Sequence, residues 1–144
     1  MKTFTLDEAQ ALLPVLESLL KRAIEAKQAG ETIAEGLQQL SRKIFLSGGM
    51  SINIADVQRQ RTALEALMQR AKDALAEIDA IGVQVKDLDT GLLDFPCHMD
   101  GETVLLCWRM GEPRIDFWHS VEDGFRGRQP IDERFRRMRP EKLN

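Results

Sequence analysis

This chain of 144 residues predicts an α+β fold, a long antiparallel helical hairpin followed by a four-stranded antiparallel β-meander. Three observations carry that expectation. Apolar residues recur at steps of three and four from Leu6 to Ile78, the period changes to two after Gly82, and turn signals punctuate the segment that follows.

Thr5-Leu6-Asp7-Glu8 reads as a capping box, in which the Thr5 hydroxyl accepts from the Glu8 amide while the Glu8 carboxylate reaches back. The stripe then runs through Leu6, Ala9, Leu13, Leu16, Leu20, Ala23, Ala34, Leu37 and Ile44, and its phase survives Gly30. One helix from Leu6 to Leu46 follows, weakened near Gly30 and Gly36 and with a kink expected at Pro14, which lacks an amide donor. Ser47-Gly48-Gly49 breaks it. Asn53 caps a second helix carrying Ile54, Val57, Leu64, Met68, Ala71, Leu75 and Ile78, and Gly82 stops it. Such a first helix would span roughly 60 Å, whereas short strands reach under about 20 Å. Much of the hairpin is therefore expected to project beyond the sheet, with a coiled-coil-like seam and a second copy covering its remaining apolar residues.

Beyond Gly82, Asp89-Thr90-Gly91 reads as a hairpin loop and Asp100-Gly101 as a two-residue turn. Gly111-Glu112-Pro113 is a weaker third signal. These turns predict strands over Val83–Leu88, Leu92–Cys97, Thr103–Met110 and Pro113–His119. The registers place Val85, Phe95, Leu106 and Phe117 in one row, flanked by Asp87, Leu93, Trp108 and Ile115, and by Val83, Cys97, Val104 and His119. Lys86, Asp94, Cys107 and Asp116 fall on the opposite face. A single domain is expected, with 1–82 helical, 83–119 in the sheet and 120–144 as an Arg-rich loop and tail.

Hydrophobic residues at 43% and charged residues at 30% exclude a disordered chain. A net charge of −3 implies neither a nucleic-acid nor a membrane partner. Residues 124–144 hold seven basic side chains, including Lys142, against three acidic ones, which leaves −7 on residues 1–123. The tail arginines Arg136, Arg137 and Arg139 have only Phe135 interleaved, which argues against a nucleic-acid site. The first residues lack an apolar signal region and no apolar run reaches transmembrane length, so a cytoplasmic protein is expected. Cys97 and Cys107 lack the spacing of a zinc finger, and both read as cytoplasmic thiols.

Several motifs invite a catalytic reading. Asp87-Leu88-Asp89-Thr90-Gly91 resembles the nucleophile loop of haloacid-dehalogenase-type phosphatases, but the doubly wound fold which that chemistry needs does not follow. Asp89-Thr90-Gly91 spells the aspartic-protease triplet, yet hairpin chemistry explains it at less cost. His119 with Glu122 and Asp123 could hold a metal. On the predicted registers Asp87 is roughly 14 Å away, so the expected role of His119 is that of an edge histidine paired to a carboxylate. Cys107 reads as a small strand residue with no histidine beside it, and no cofactor motif is present. The candidate ligand-binding residues are Arg109, Glu112, Trp118, His119, Arg126 and Arg128, which could present forked donors to a carboxylate or phosphate. The bland alternative is that these arginines pair with Glu112, Glu122 or Asp123.

A family resemblance rests on Phe4-Thr5-Leu6-Asp7-Glu8-Ala9 with Leu12-Leu13-Pro14, and on the run from Gly82 to Pro96. Leu106-Cys107-Trp108-Arg109 with Gly111-Glu112, and Trp118-His119 with Gly124-Phe125, Gly127-Arg128 and Pro130, extend it. In these motifs the chain resembles an uncharacterised bacterial family, domain-of-unknown-function family 2203. The resemblance implies a small stand-alone protein and transfers no activity. The leading expectation is a non-enzymatic, dimeric interaction or accessory protein with a protein partner or a small anionic ligand. The alternative is a small enzyme or sensor that binds an anion or metal around Trp118-His119 and Gly124-Phe125-Arg126-Gly127-Arg128.

Overall fold

The computed structural model describes residues 2–48 and 51–138. Gly49 of the predicted break, and Arg139 and Lys142 of the basic tail, lie outside these residues. Two long helices, α1 (Leu6–Leu46) and α2 (Ile54–Ile81), precede an antiparallel sheet, so the chain is α+β as its sequence predicts. The Thr5 capping box forms as read: the Thr5 amide donates to Glu8 Oε1 (2.9 Å) and the Glu8 amide to Thr5 Oγ1 (3.2 Å). Asn53 Oδ1 accepts from the Asp56 amide at 3.1 Å and starts α2. Gly82, at φ 102°, ends it, where the Val83 amide donates back to the Ile78 carbonyl. Pro14 sits inside α1, which continues through it.

The described backbone separates into two compact units, one of residues 2–20 with 75–138 and the other of residues 21–48 with 51–74. In the second, α1 and α2 run antiparallel and approach closely at Gly30, where a Cβ would meet Leu64 Cδ1 at 3.4 Å. From Glu31 to Asp73 no described residue is buried.

The first unit holds a five-stranded sheet in the order β1 (Gln84–Asp87), β2 (Leu92–Met99), β3 (Glu102–Arg109), β4 (Phe117–Ser120) and β5 (Gln129–Pro130). Both of the clearest turn signals mark turns, but only Asp100-Gly101 sets the expected pairing. At Asp89-Thr90-Gly91 the loop also takes in Leu88, so Asp87 faces Leu92 and, past a bulge, Val85 faces Leu93 where Phe95 was expected. Asp100 and Gly101 take positive φ (50° and 80°) between the paired Met99 and Glu102. The Asp87 carboxylate accepts from the Asp89 amide (3.2 Å) and the Thr90 hydroxyl (2.8 Å), so this Asp-Thr-Gly is turn chemistry. The β2–β3 register matches the predicted one, with Phe95 opposite Leu106 and Leu93 opposite Trp108.

Two differences matter for the site. Gln129–Pro130 adds a fifth strand within a segment expected to be loop, so β4 is not an edge. The β3–β4 register is also one residue away from the expected one: Leu106 faces Trp118, not Phe117, and Leu105 faces His119. The physical reason is the connection. Strand β4 does not start at Pro113, and the whole stretch from Met110 to Asp116 links the strands, so no tight turn dictates their pairing. On one face, Phe4 packs edge-on against Phe95 (5.9 Å), and Trp118 packs on Phe135 (5.5 Å) of α3 (Glu133–Arg136). The other face carries the site.

Candidate functional site

The register shift moves His119 to the face it shares with Asp94 and Cys107. Asp94 and Cys107 are directly opposed across β2 and β3, and His119 comes from β4 on the far side of β3. Cys107 therefore lies between the other two, and its small side chain leaves room for them to meet above the central strand. All three residues are buried, at 2% exposure or less.

Their hydrogen bonds constrain the protons. Nδ1 of His119 is 2.7 Å from the Ser120 carbonyl, which can only accept, so Nδ1 carries the hydrogen. Nε2 then faces Asp94 Oδ1 at 3.0 Å. A lone pair cannot bond to a carboxylate oxygen, so a shared proton or a cation must stand between them. Burial pushes the Cys107 thiol up to about 12, with Asp94 beside it acting in the same direction. The donor atoms of Asp94, Cys107 and His119 all lie within 4.8 Å of one another.

A second polar group adjoins the first. Arg128 Nη2 donates to both Glu112 carboxylate oxygens (2.7 and 2.9 Å) and to the Cys107 carbonyl (3.4 Å). Its guanidinium is held between Phe117 (4.1 Å) and Phe125 (4.7 Å). Glu112 is a hub: its carboxylate also accepts from the Arg109 amide and its carbonyl from Trp108 Nε1. The strap between β4 and β5 presents Arg128 to this pair. Within it the Ser120 hydroxyl accepts from the Asp123 amide, and a Cβ at Gly127 would run into the Asp123 side chain. The arginine–carboxylate pairing is the bland alternative, realised with Glu112 as partner.

Of the six candidate residues, Glu112, His119 and Arg128 serve this face. Trp118 points to the opposite one, where its Nε1 is buried without a protein partner. Arg109 and Arg126 are exposed, and the Arg109 guanidinium lies 5.8 Å from the Phe125 ring. Sequence reasoning missed Asp94 and Cys107, and it placed no histidine near Cys107; the β4 register corrects that. It also expected His119 to pair with a carboxylate, and Asp94 is that partner. One signal was available. The unbroken apolar run Val104-Leu105-Leu106-Cys107-Trp108 marks a strand buried on both faces, so an aspartate opposite Cys107 has to be buried too.

The model of a family of uncharacterised conserved proteins, DUF2203, matches residues 2–131. That span takes in both long helices, all five strands and every residue of the buried centre. The chain belongs to the DUF2203 family. The DUF2203 match ends at Ile131, so Asp132 and the short helix it caps lie beyond it. No curated protein and no solved structure matches the chain.

Proposed function

We propose that this DUF2203 protein is a cation-binding module whose functional centre is Asp94, Cys107 and His119, and that it works by binding and not by turnover. The observation that carries this reading is the convergence of a carboxylate, a thiol and an imidazole nitrogen within 4.8 Å, inside a buried sheet face. Two further features favour a cation over an anion. Nε2 and a carboxylate oxygen face each other, an arrangement that a shared proton or a bound cation satisfies and an anion does not. Arg128, the nearby arginine that could attract an anion, already has its charge matched by Glu112. A cysteine-nucleophile enzyme is disfavoured by the same geometry, because the thiol is buried and protonated and Nε2 addresses Asp94. Native mass spectrometry tests the reading. One retained or acquired cation per folded chain is expected, and a folded chain that takes up no ion contradicts it.

A second reading, compatible with the first, is assembly into a homodimer through the helical unit. The apolar side chains near the helix–helix turn favour it: Phe45 is 84% exposed, Leu46 75% and Ile54 66%. The same spectra report it. A dimer mass that collapses to monomer on Phe45→Glu with Leu46→Glu is expected, and a wild-type monomer at micromolar concentration contradicts it.

A further inference from the structure

We infer that the ion is a thiolate-preferring divalent metal of the zinc class, bound by Sγ of an ionised Cys107, Nε2 of His119 and a carboxylate oxygen of Asp94. This identity rests on the cation reading above and adds a coordination chemistry to it.

The donor set selects the ion. One sulfur, one imidazole nitrogen and one carboxylate oxygen suit a borderline-soft metal. Calcium and magnesium take six or more oxygens, with water supplying what the protein does not. A buried site with one carboxylate provides too few. Charge points the same way. A thiolate and a carboxylate carry two negative charges, so a divalent ion leaves the buried centre neutral, whereas a monovalent one leaves a net charge in low dielectric. The neighbouring Arg128 adds no net repulsion, because Glu112 compensates it.

The geometry is already close. Metal–ligand bonds of about 2.0–2.3 Å in a tetrahedron separate the donor atoms by about 3.3–3.6 Å. Asp94 and His119 stand 3.0 Å apart, and no pair in the cluster exceeds 4.8 Å. Side-chain torsions alone can close the difference of about 1 Å. The outer partner is also in place: the Ser120 carbonyl takes the Nδ1 hydrogen and leaves Nε2 to coordinate. Cys107 is held in turn from behind, since Arg128 donates to its carbonyl. A protonated thiol does not contradict the assignment, because a bound divalent metal deprotonates a coordinating thiol outright. Three protein ligands leave a fourth position, which on a face closed to bulk solvent would take a water.

Cobalt(II) titration of the full chain tests this. One cobalt per chain is expected, with an intense thiolate-to-cobalt charge-transfer band that zinc abolishes by displacement. Cys97→Ser should keep the band. Cys107→Ser should lose it and bind cobalt at least about a hundredfold more weakly, beyond the loss typical of outer partners alone. If Cys107→Ser does not fold, the wild-type band and its survival in Cys97→Ser decide the matter. Binding of cobalt, manganese or calcium without a thiolate band overturns the zinc-class assignment and leaves the cation reading intact. A folded wild-type chain that binds none of these ions overturns both.

Discussion

His119 Nε2 lies 3.0 Å from Asp94 Oδ1 while Nδ1 of the same ring donates to the Ser120 carbonyl. Nε2 and Oδ1 partner each other in a place closed to bulk solvent. Asp94→Ala would leave the imidazole without a counterpart and should cost about 3–5 kcal/mol in denaturant unfolding. Asp94→Asn can donate an amide hydrogen to Nε2, so its cost should be nearer about 1 kcal/mol while cation binding is lost. Equal costs for the two variants would show that the pairing contributes little.

The Arg128–Glu112 pair should behave as a unit. Side-chain exposures of 13% and 19% place it well below the surface regime in which ion pairs contribute little. Arg128→Ala should destabilise by about 3 kcal/mol, with Glu112 left half-satisfied by the Arg109 amide. Arg128→Lys should recover little of this, because an ammonium cannot lie flat between Phe117 and Phe125 and also bond both carboxylate oxygens. Thermal unfolding of the two variants and Glu112→Gln checks it.

Both thiols should resist labelling. Burial pushes Cys97 up to about 11 from 9.0, so at neutral pH it is neutral as well as inaccessible. An aromatic disulfide reagent should label no cysteine in the folded chain and both after unfolding. The pH dependence follows in sign. A pKa raised in the folded state contributes stability that is whole below about pH 9 and is lost as pH rises through about 11. Cys97 should thus cost stability of about 3 kcal/mol across that window, and Cys97→Ala should flatten the slope.

Two glycines predict opposite outcomes. Gly36 lies inside α1 with open space where a Cβ would go, so Gly36→Ala should stabilise by up to about 1 kcal/mol. Gly127 has no such room, and Gly127→Ala must displace Asp123 and with it the strap that carries Arg128. Gly127→Ala should therefore lower the melting temperature, where Gly36→Ala raises it.

The helices and the β2–β3 hairpin were legible because their signals are local, whereas the β1–β2 register was displaced by a bulge that no local signal marks. A capping box, an Asn cap, Gly82 and Asp100-Gly101 each specify geometry within four residues. The site was half legible for the converse reason. Glu112, His119 and Arg128 stand in a Trp-, Gly- and Arg-rich stretch that draws notice, but their companions Asp94 and Cys107 become companions only through the β4 register. That register depends on the long link from Met110 to Asp116 and on the added strand at Gln129–Pro130, both set by tertiary packing. A slip of one residue moves His119 across the sheet, so the choice between an edge histidine and a three-residue centre turned on it.

The most direct test of the cation-binding centre is native mass spectrometry on the purified chain before and after exposure to zinc. One zinc per folded chain is expected, absent in folded Asp94→Asn and Cys107→Ser and retained in Cys97→Ser. A folded wild-type chain that remains ion-free in excess zinc, or one whose zinc survives loss of both Asp94 and Cys107, would contradict it.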